Sequence, residues 1–454
     1  MNYCYTIREF IRVILVDLLF EKRGETMNTR KIFISLITFV FLFSLSTMAL
    51  AQVIKVGGLK DTTGATSDVG KDAALGQAEF WSHYVNDMGG INGKEVKYIW
   101  FDYGYRIPEA LTKYKLLKRM GVIAIMGWGT GDTEALSPTI NKDQIPYVSD
   151  SYSAHLTRPK DWVDKDGKTH TGTAYNLFFS SDYSTNARSC LTAWYDKKWP
   201  NHPDYGKRKP RLACCYMFGS PYSSAPIAAI KNHAEVLGVE VGPDQDVSLF
   251  AIDTKSQIMA LQQYKPDVIW HGNTTMSVAA TIRDAYALGL RADHIVNNWG
   301  FDENLPRLAG DAMNANDALT VLGATPCKFF GQESDLMDKV VEYAKKVNPG
   351  VPLEKRLIRT VQGWANGLVL WEAMKRADKA GDLTGPGIMK KGFETMRNFH
   401  VGLGTGDVTY TADDHRPVGG CLVQEWKNGN FQVVEFVDVK GRWPKQWESE
   451  WFGW

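Results

Sequence analysis

The sequence carries almost no charge bias: 52 Lys and Arg stand against 51 Asp and Glu, a formal charge of +1 over 454 residues. Bulk electrostatics therefore imply no surface for nucleic acid or another polyanion. Cysteine is scarce, with 6 in the whole chain. Cys190, Cys214, Cys215, Cys327 and Cys421 lie beyond the N-terminal region, an odd number, and Cys214 and Cys215 are neighbours in RLACCYMF, where a strand sends their side chains to opposite faces. They read as buried free thiols and not as a disulfide framework. No Cys/His spacing matches a zinc pattern, and His155, His170, His271 and His294 are scattered, which suits structural roles. Heptads, repeats of 20–50 residues and low-complexity tracts are absent as well.

Long apolar runs are missing with one exception. MNTRKIFISLITFVFLFSLSTMALAQ (27–52) has a basic start at Arg30 and Lys31, an apolar run from Ile32 to Leu45 and an Ala49-Leu50-Ala51 cleavage site. The expectation is a signal peptide cut after Ala51, with Met27 as the start and residues 1–26 an upstream extension. No Cys stands near position 52 to carry a lipid, and no later segment is long enough to span a bilayer. The mature chain is expected in the periplasm.

What is present describes a folded α/β protein. Hydrophobic residues make up 44% and charged residues 23%, and the length suggests two or three domains. From Val53 short β-rich runs alternate with helical ones, the pattern of parallel βαβ units. Strands are expected at 53–59, 96–102 and 122–126, and helices at 72–88, 108–120 and 133–140. After a polar insertion (157–175) the alternation restarts: strands at 176–180, 211–218, 267–272, 294–300 and 319–324, and helices around 184–198, 223–237 and 277–290. Two helices follow at 333–347 and 356–381; the stripe Leu357, Val361, Trp364, Leu368, Trp371 and Met374 of the second reads as core. The tail alternates at 421–426 and 431–436 around Asn428-Gly429, a hairpin signal. Residues 444–454 form an aromatic extension to which no mechanism attaches.

The run IMGWGTGDTEALSPTI (125–140) breaks from an apolar strand into three glycines and then a helix start at Asp132 or Thr133. Such a turn offers unpaired N–H groups and the positive end of a helix dipole to an anion. It is not a dinucleotide fingerprint, because Gly127-x-Gly129-x-Gly131 has the wrong spacing and follows the third strand. No Lys follows as in a P-loop. G-x-S-x-G is absent; Ser151 or Ser153 with His155, and Asp132 with Asp150, form catalytic pairs only by proximity. No cofactor, metal or catalytic residue is expected.

The stretch GGLKDTTGATSDVGKDAALGQAEFWSHYVNDMGGINGKEVKYIWFDYG (57–104), with its helix ending in Gly89-Gly90-Ile91-Asn92-Gly93, and the run DVIWHGNTTMSVAATIRDAYALGL (267–290) resemble the periplasmic leucine/isoleucine/valine-binding family, the type I solute receptors of ABC importers. The resemblance runs from Val53 to about Phe436. It implies two doubly wound, Rossmann-like lobes joined by a three-crossing hinge near Ser180, Thr325 and Cys421, with lobe one at 52–180 plus 326–420 and lobe two at 181–325 plus 421–454. It further implies a non-enzymatic receptor that shuts on a small carboxylate-bearing ligand, an amino acid or a related organic acid or amide, and delivers it to a membrane permease and its ATPase. A ligand-sensing subunit of a signalling system, or an extracytoplasmic hydrolase, are the alternative readings.

By the same resemblance, the carboxylate falls to Thr130, Gly131, Asp132 and Thr133 after strand three and to Ser151, Tyr152 and Ser153 after strand four. Val69 takes the first-loop aromatic position, and Tyr222 and Thr274 form the second-lobe wall. Trp299 occupies the place of the acid that grips an ammonium group. Either Asp132, Asp150 or Asp302 replaces that acid, or the ligand is not an α-amino acid. Trp128, Tyr152, Tyr222 and Trp299 give an aromatic-rich lining. The family's first-lobe disulfide is missing, its positions falling near Tyr105 and Thr130.

Overall fold

A computed structural model describes residues 53–163 and 167–454. The expected signal peptide and its cleavage site lie outside the described residues. Among the described residues the chain builds two main sheets, one of five strands and one of seven.

The first sheet is wholly parallel, in the order β2-β1-β3-β4-β7. Its strands are β1 (Ile54–Lys60), β2 (Val96–Asp102), β3 (Ala124–Met126), β4 (Tyr147–Val148) and β7 (Asn176–Leu177). Helices α1 (Ser67–Glu79), α2 (Ile107–Arg119) and α3 (Thr130–Asp143) supply the crossovers. A parallel sheet hides both faces, and Val56, Leu59, Ile125, Met126, Tyr147 and Val148 are accordingly buried. The polar insertion contains a small antiparallel pair, β5 (Trp162–Val163) with β6 (Thr169–His170).

After Leu177 the chain enters the second sheet, ordered β14-β13-β12-β11-β10-β8-β9. It runs through α4 (Tyr183–Lys197), β8 (Arg211–Tyr216), α5 (Ile227–Leu237), β9 (Glu240–Asp246), α6 (Lys255–Tyr264), β10 (Val268–His271), α7 (Thr275–Ala287), β11 (Asp293–Val296) and β12 (Val321–Thr325). It then returns to the first lobe with α8 (Met337–Val347) and α9 (Ile358–Lys379). There Gly76 of α1 meets the Thr360 backbone, and Trp364 packs on Phe80 and Tyr84. The last crossing brings β13 (Cys421–Lys427) and β14 (Asn430–Val437) antiparallel onto β12, turning at Asn428 and Gly429, both with positive φ.

Several expectations are corrected. The strand and helix β9 and α6 were not anticipated, because EVGPDQD carries Gly, Pro and three acids. Those residues are tolerated at a sheet edge, where β9 pairs on one side only. The third helix starts at Thr130, before Asp132, and runs past Pro138 to Asp143. The expected strand 294–300 stops at Val296, since Asn297-Asn298-Trp299 turns into the cleft. The stripe on α9 is core except for Trp371, which is half-buried and donates to the Gly90 carbonyl. All five cysteines in the described residues are free and buried. The aromatic extension also has a place: Trp447 and Trp451 pack with Ala187, Leu191 and Trp194 on α4, while Arg188 and Arg416 stack on Trp451 and Trp447.

Candidate functional site

Each parallel strand ends in a loop, and eight of these loops converge on one cavity. From the first lobe come Thr66 and Val69 after β1, Tyr105 after β2, Trp128, Gly129 and Thr130 after β3, and Asp150 after β4. From the second come Tyr183 after β7, Tyr222 after β8, Thr274 after β10 and Trp299 after β11. This is where open α/β sheets place ligands. The cavity measures about 20 Å³, room for roughly one water molecule. A larger guest requires the two lobes to part.

The floor is a saturated polar network. Lys60, fully buried at the end of β1, donates to Asp150 Oδ2 at 2.8 Å and to the Gly127 carbonyl at 2.9 Å. Gln77 donates to the same Asp150 oxygen at 3.0 Å, and Asn366 of α9 donates to Oδ1 at 2.6 Å. Burial pulls the Lys60 ammonium below its ordinary pKa, and Asp150 opposes that shift. Asp61 caps the first loop, accepting from Thr66 N–H and Oγ1 at 2.8 Å each. Thr66 Oγ1 in turn accepts the Trp128 indole N–H at 2.9 Å.

The glycine turn has a steric reason. A Cβ at Gly129 would lie 2.4 Å from Asp132 Oδ1 and 2.5 Å from the Tyr105 ring. Only glycine lets the start of α3 come this close to Tyr105. Gly131 lies at the seam between lobes, where its Cβ position is 3.4 Å from Pro221. The α3 N-terminus thus borders the cavity, with Thr130 Oγ1 2.7 Å from Ser151 Oγ.

The walls are aromatic. Trp299 stacks on Tyr152 (5.8 Å between centroids, 23° between planes) and meets Trp128 edge-on at 5.1 Å, so the two lobes touch through indoles. Its Nε1 donates to Tyr183 Oη at 3.0 Å, and the Tyr222 hydroxyl donates to Asn297 Oδ1 at 3.0 Å. Arg359 of α9 lies 5.0 Å from the Trp299 ring and donates to the Asn298 carbonyl (2.6 Å) and Asp302 Oδ2 (3.2 Å).

Of the residues expected at the site, the cavity brings together Thr130, Tyr222, Thr274 and Trp299, with Val69, Trp128 and Asp150. Gly131 stands at the lobe seam. Asp132 and Thr133 turn into lobe one: Asp132 accepts from Tyr103 at 2.7 Å, and Thr133 Oγ1 donates to the Gly129 carbonyl. Burial pushes the Asp132 carboxyl up to about 7, partly offset by that Tyr103 bond. Ser151 and Tyr152 sit behind Thr130 and Trp299. Ser153 precedes the turn Ala154–Thr157, and its hydroxyl lowers the raised carboxyl of Glu134. Three wall residues escaped the sequence reading, Thr66, Tyr105 and Tyr183. The rule of strand ends points to each, since all three lie within six residues of a strand's C-terminus.

The profile described as "Periplasmic binding protein" matches residues 53–430. This chain belongs to that family, whose members bind solutes outside the cytoplasm. Among solved structures, an ABC transporter substrate-binding protein from Aeropyrum pernix is 31% identical, with TM-score 0.73 over 85% of this chain and 96% of that one. A branched-chain amino acid ABC transporter protein from Thermus thermophilus, solved with valine, is 20% identical, with TM-score 0.74 over 85% and 96%. A solute-binding protein from R. palustris in complex with benzoate is 16% identical, with TM-score 0.65 over 85% and 96%. No curated protein sequence matches the chain. The two-lobed α/β fold is that of these receptors, and among the described residues no helix is long and apolar enough to cross a membrane.

Proposed function

We propose that the protein is the non-enzymatic, extracytoplasmic receptor of an ABC importer and captures a small carboxylate-bearing solute between its lobes. The observation that carries this reading is a cavity at the strand ends to which both lobes contribute, bordered by the α3 N-terminus and walled by Tyr105, Trp128, Tyr183, Tyr222 and Trp299. Helix N–H groups at Thr130, Gly131 and Asp132 suit an anion in a water-poor cleft, and rings suit an apolar body beside it. The relatives solved with valine and with benzoate both hold a carboxylate attached to an apolar group.

Ligand entry requires hinge motion, because a volume near 20 Å³ admits no amino acid. The hinge lies at the crossings near Ser180, Thr325 and Cys421, which divide lobe one (52–180 plus 326–420) from lobe two (181–325 plus 421–454). Preferential binding to the shut arrangement drives closure, and the permease with its ATPase reads the shut form at the inner membrane. A signal peptide ending at Ala51 takes the chain to the periplasm.

A thermal-shift screen of residues 52–454 with amino acids, aromatic and aliphatic acids and amides tests this reading. A specific ligand raises the melting temperature by mass action and lowers the radius of gyration in small-angle scattering. Turnover of a small ester or amide, or binding without compaction, rejects it.

A further inference from the structure

Four carboxylates around the cleft are already engaged. Asp150 accepts from Lys60, Gln77 and Asn366. Asp302 accepts from Thr275 and Arg359, and Asp61 is consumed by the Gly64–Thr66 turn. Asp132 leaves one oxygen unpartnered, but it lies behind Gly129 with its carboxyl raised to about 7. Asp61, Asp150 and Asp302 thus have both oxygens bonded, and the spare oxygen of Asp132 is screened by Gly129.

Asp68 differs. It lies in the first turn of α1, one residue before the cavity-lining Val69, and it reaches across the cleft. Its Oδ2 accepts the backbone N–H of Met276, in the first turn of α7, at 3.2 Å. Its Oδ1 is buried and has no hydrogen-bond partner, and no ion pair forms with Asp68 among the described residues. Beside it stands Thr274, which lines the cavity, is 1% exposed and has a hydroxyl equally without a partner. Burial raises the Asp68 carboxyl to about 6, and the Met276 N–H and the nearby Thr274 hydroxyl offset part of that rise. Arg359, whose charge acts on Asp68, is committed to Asp302. A buried carboxylate oxygen without a counter-charge is costly, and a cation arriving with the ligand removes that cost.

We propose that Asp68, with the Thr274 hydroxyl, is the recognition point for a positively charged group of the ligand, so that the cargo carries an ammonium as well as a carboxylate. The proposal rests on the cleft reading above. It assigns the two poles of a zwitterion to two places, the negative one to the α3 N-terminus and the positive one to the Asp68–Thr274 corner. Because Asp68 belongs to lobe one while Met276 and Thr274 belong to lobe two, filling this corner also favours contact between the lobes.

Calorimetry with matched pairs tests it: L-phenylalanine against 3-phenylpropionate, and L-leucine against 4-methylpentanoate. The wild-type protein binds the amino member of a pair at least tenfold tighter. Asp68→Asn, which keeps the acceptor for Met276, removes that preference while leaving the deaminated acid within twofold; Thr274→Val reduces the preference in part. Gly131→Val, which crowds Pro221, weakens both members alike. Retention of the amino preference in Asp68→Asn, or a wild-type preference for the deaminated acid, overturns the proposal and leaves the cleft reading standing. Failure of every carboxylate to bind removes both.

Discussion

The two lobes bury ionisable groups in different ways. Lobe one buries full charges in contact pairs: Lys60 with Asp150 at 2.8 Å, and Arg356 with Glu79 beside Asp72. Lobe two also buries Arg188 and Asp302, but its buried imidazoles and thiols stay neutral. Burial drives His233 and His294 down to about 3 and His271 well below the ordinary imidazole value, and it lifts the Cys190 and Cys214 thiols. The contrast extends to the cleft. Lobe one presents a floor bonded through Lys60 and Asp150, the rings of Tyr105 and Trp128, and the open Asp68 oxygen at the edge, whereas lobe two presents the rings of Tyr183, Tyr222 and Trp299 and the Thr274 hydroxyl. A floor of fixed dipoles costs no reorganisation when a charged guest arrives, while rings held by packing can shift to fit it. Under the proposed function, charge recognition then falls mainly to lobe one and shape mainly to lobe two.

The sharpest way to break the comparison is Lys60→Met. It strands Asp150, 2% exposed, with only the neutral donors Gln77 and Asn366. Removing one partner of a buried pair costs about 3–5 kcal/mol, and denaturant unfolding should show that loss. Adding Asp150→Asn should recover a large part of it. A loss below about 1 kcal/mol, the range of an exposed pair, would mean that lobe one does not depend on this charge pair.

A smaller effect separates the lobes by pH. His233 has a folded pKa of about 3 against about 6.5 in the unfolded chain. Its contribution is therefore fully present above pH 6.5 and is lost as pH falls toward 3. At pH 5 the loss is about 2 kcal/mol by linkage. The carboxyls of Asp72, raised to about 6, and of Asp132 and Glu134, raised to about 7, act in the opposite sense in lobe one. Their contribution is fully present below the unfolded value and is lost as pH rises through 6 to 7. In His233→Asn, stability should fall less between pH 7 and pH 5 than in wild type, by about 2 kcal/mol. Parallel pH curves for the two proteins would remove the imidazole from this account.

Much of this organisation was legible before any coordinates. The alternation of β-rich and helical runs marks β1 to β3, β8, β10 and β12, because strands of parallel sheets are apolar throughout and read as short unbroken runs. The Asn428-Gly429 turn was legible from two letters. β9 was not, since an edge strand exposes half its side chains and EVGPDQD has no apolar signature. At the site, Thr130, Tyr222, Thr274 and Trp299 were found through strand ends and resemblance. Asp68 drew no notice, because what sets it apart is a contact with Met276, 208 residues away. Which carboxylates are already paired is likewise invisible in one dimension: Asp150 draws donors from β1, α1 and α9.

The finest test asks whether lobe two reads shape alone. Trp299→Phe keeps a ring against Tyr152 and Trp128 but deletes the Nε1 bond to Tyr183. That bond joins two residues of the same cavity wall, so its loss leaves the Tyr183 hydroxyl with a weaker set of partners in a buried place. A net hydrogen bond is worth about 1 kcal/mol, and the variant should unfold at correspondingly lower denaturant with its m-value unchanged. Ligand affinity should change less than in Trp299→Ala, where the stack itself disappears. If Phe and Ala at 299 weaken binding equally, the indole N–H and not the ring face governs the wall, and lobe two reads polarity as well as shape.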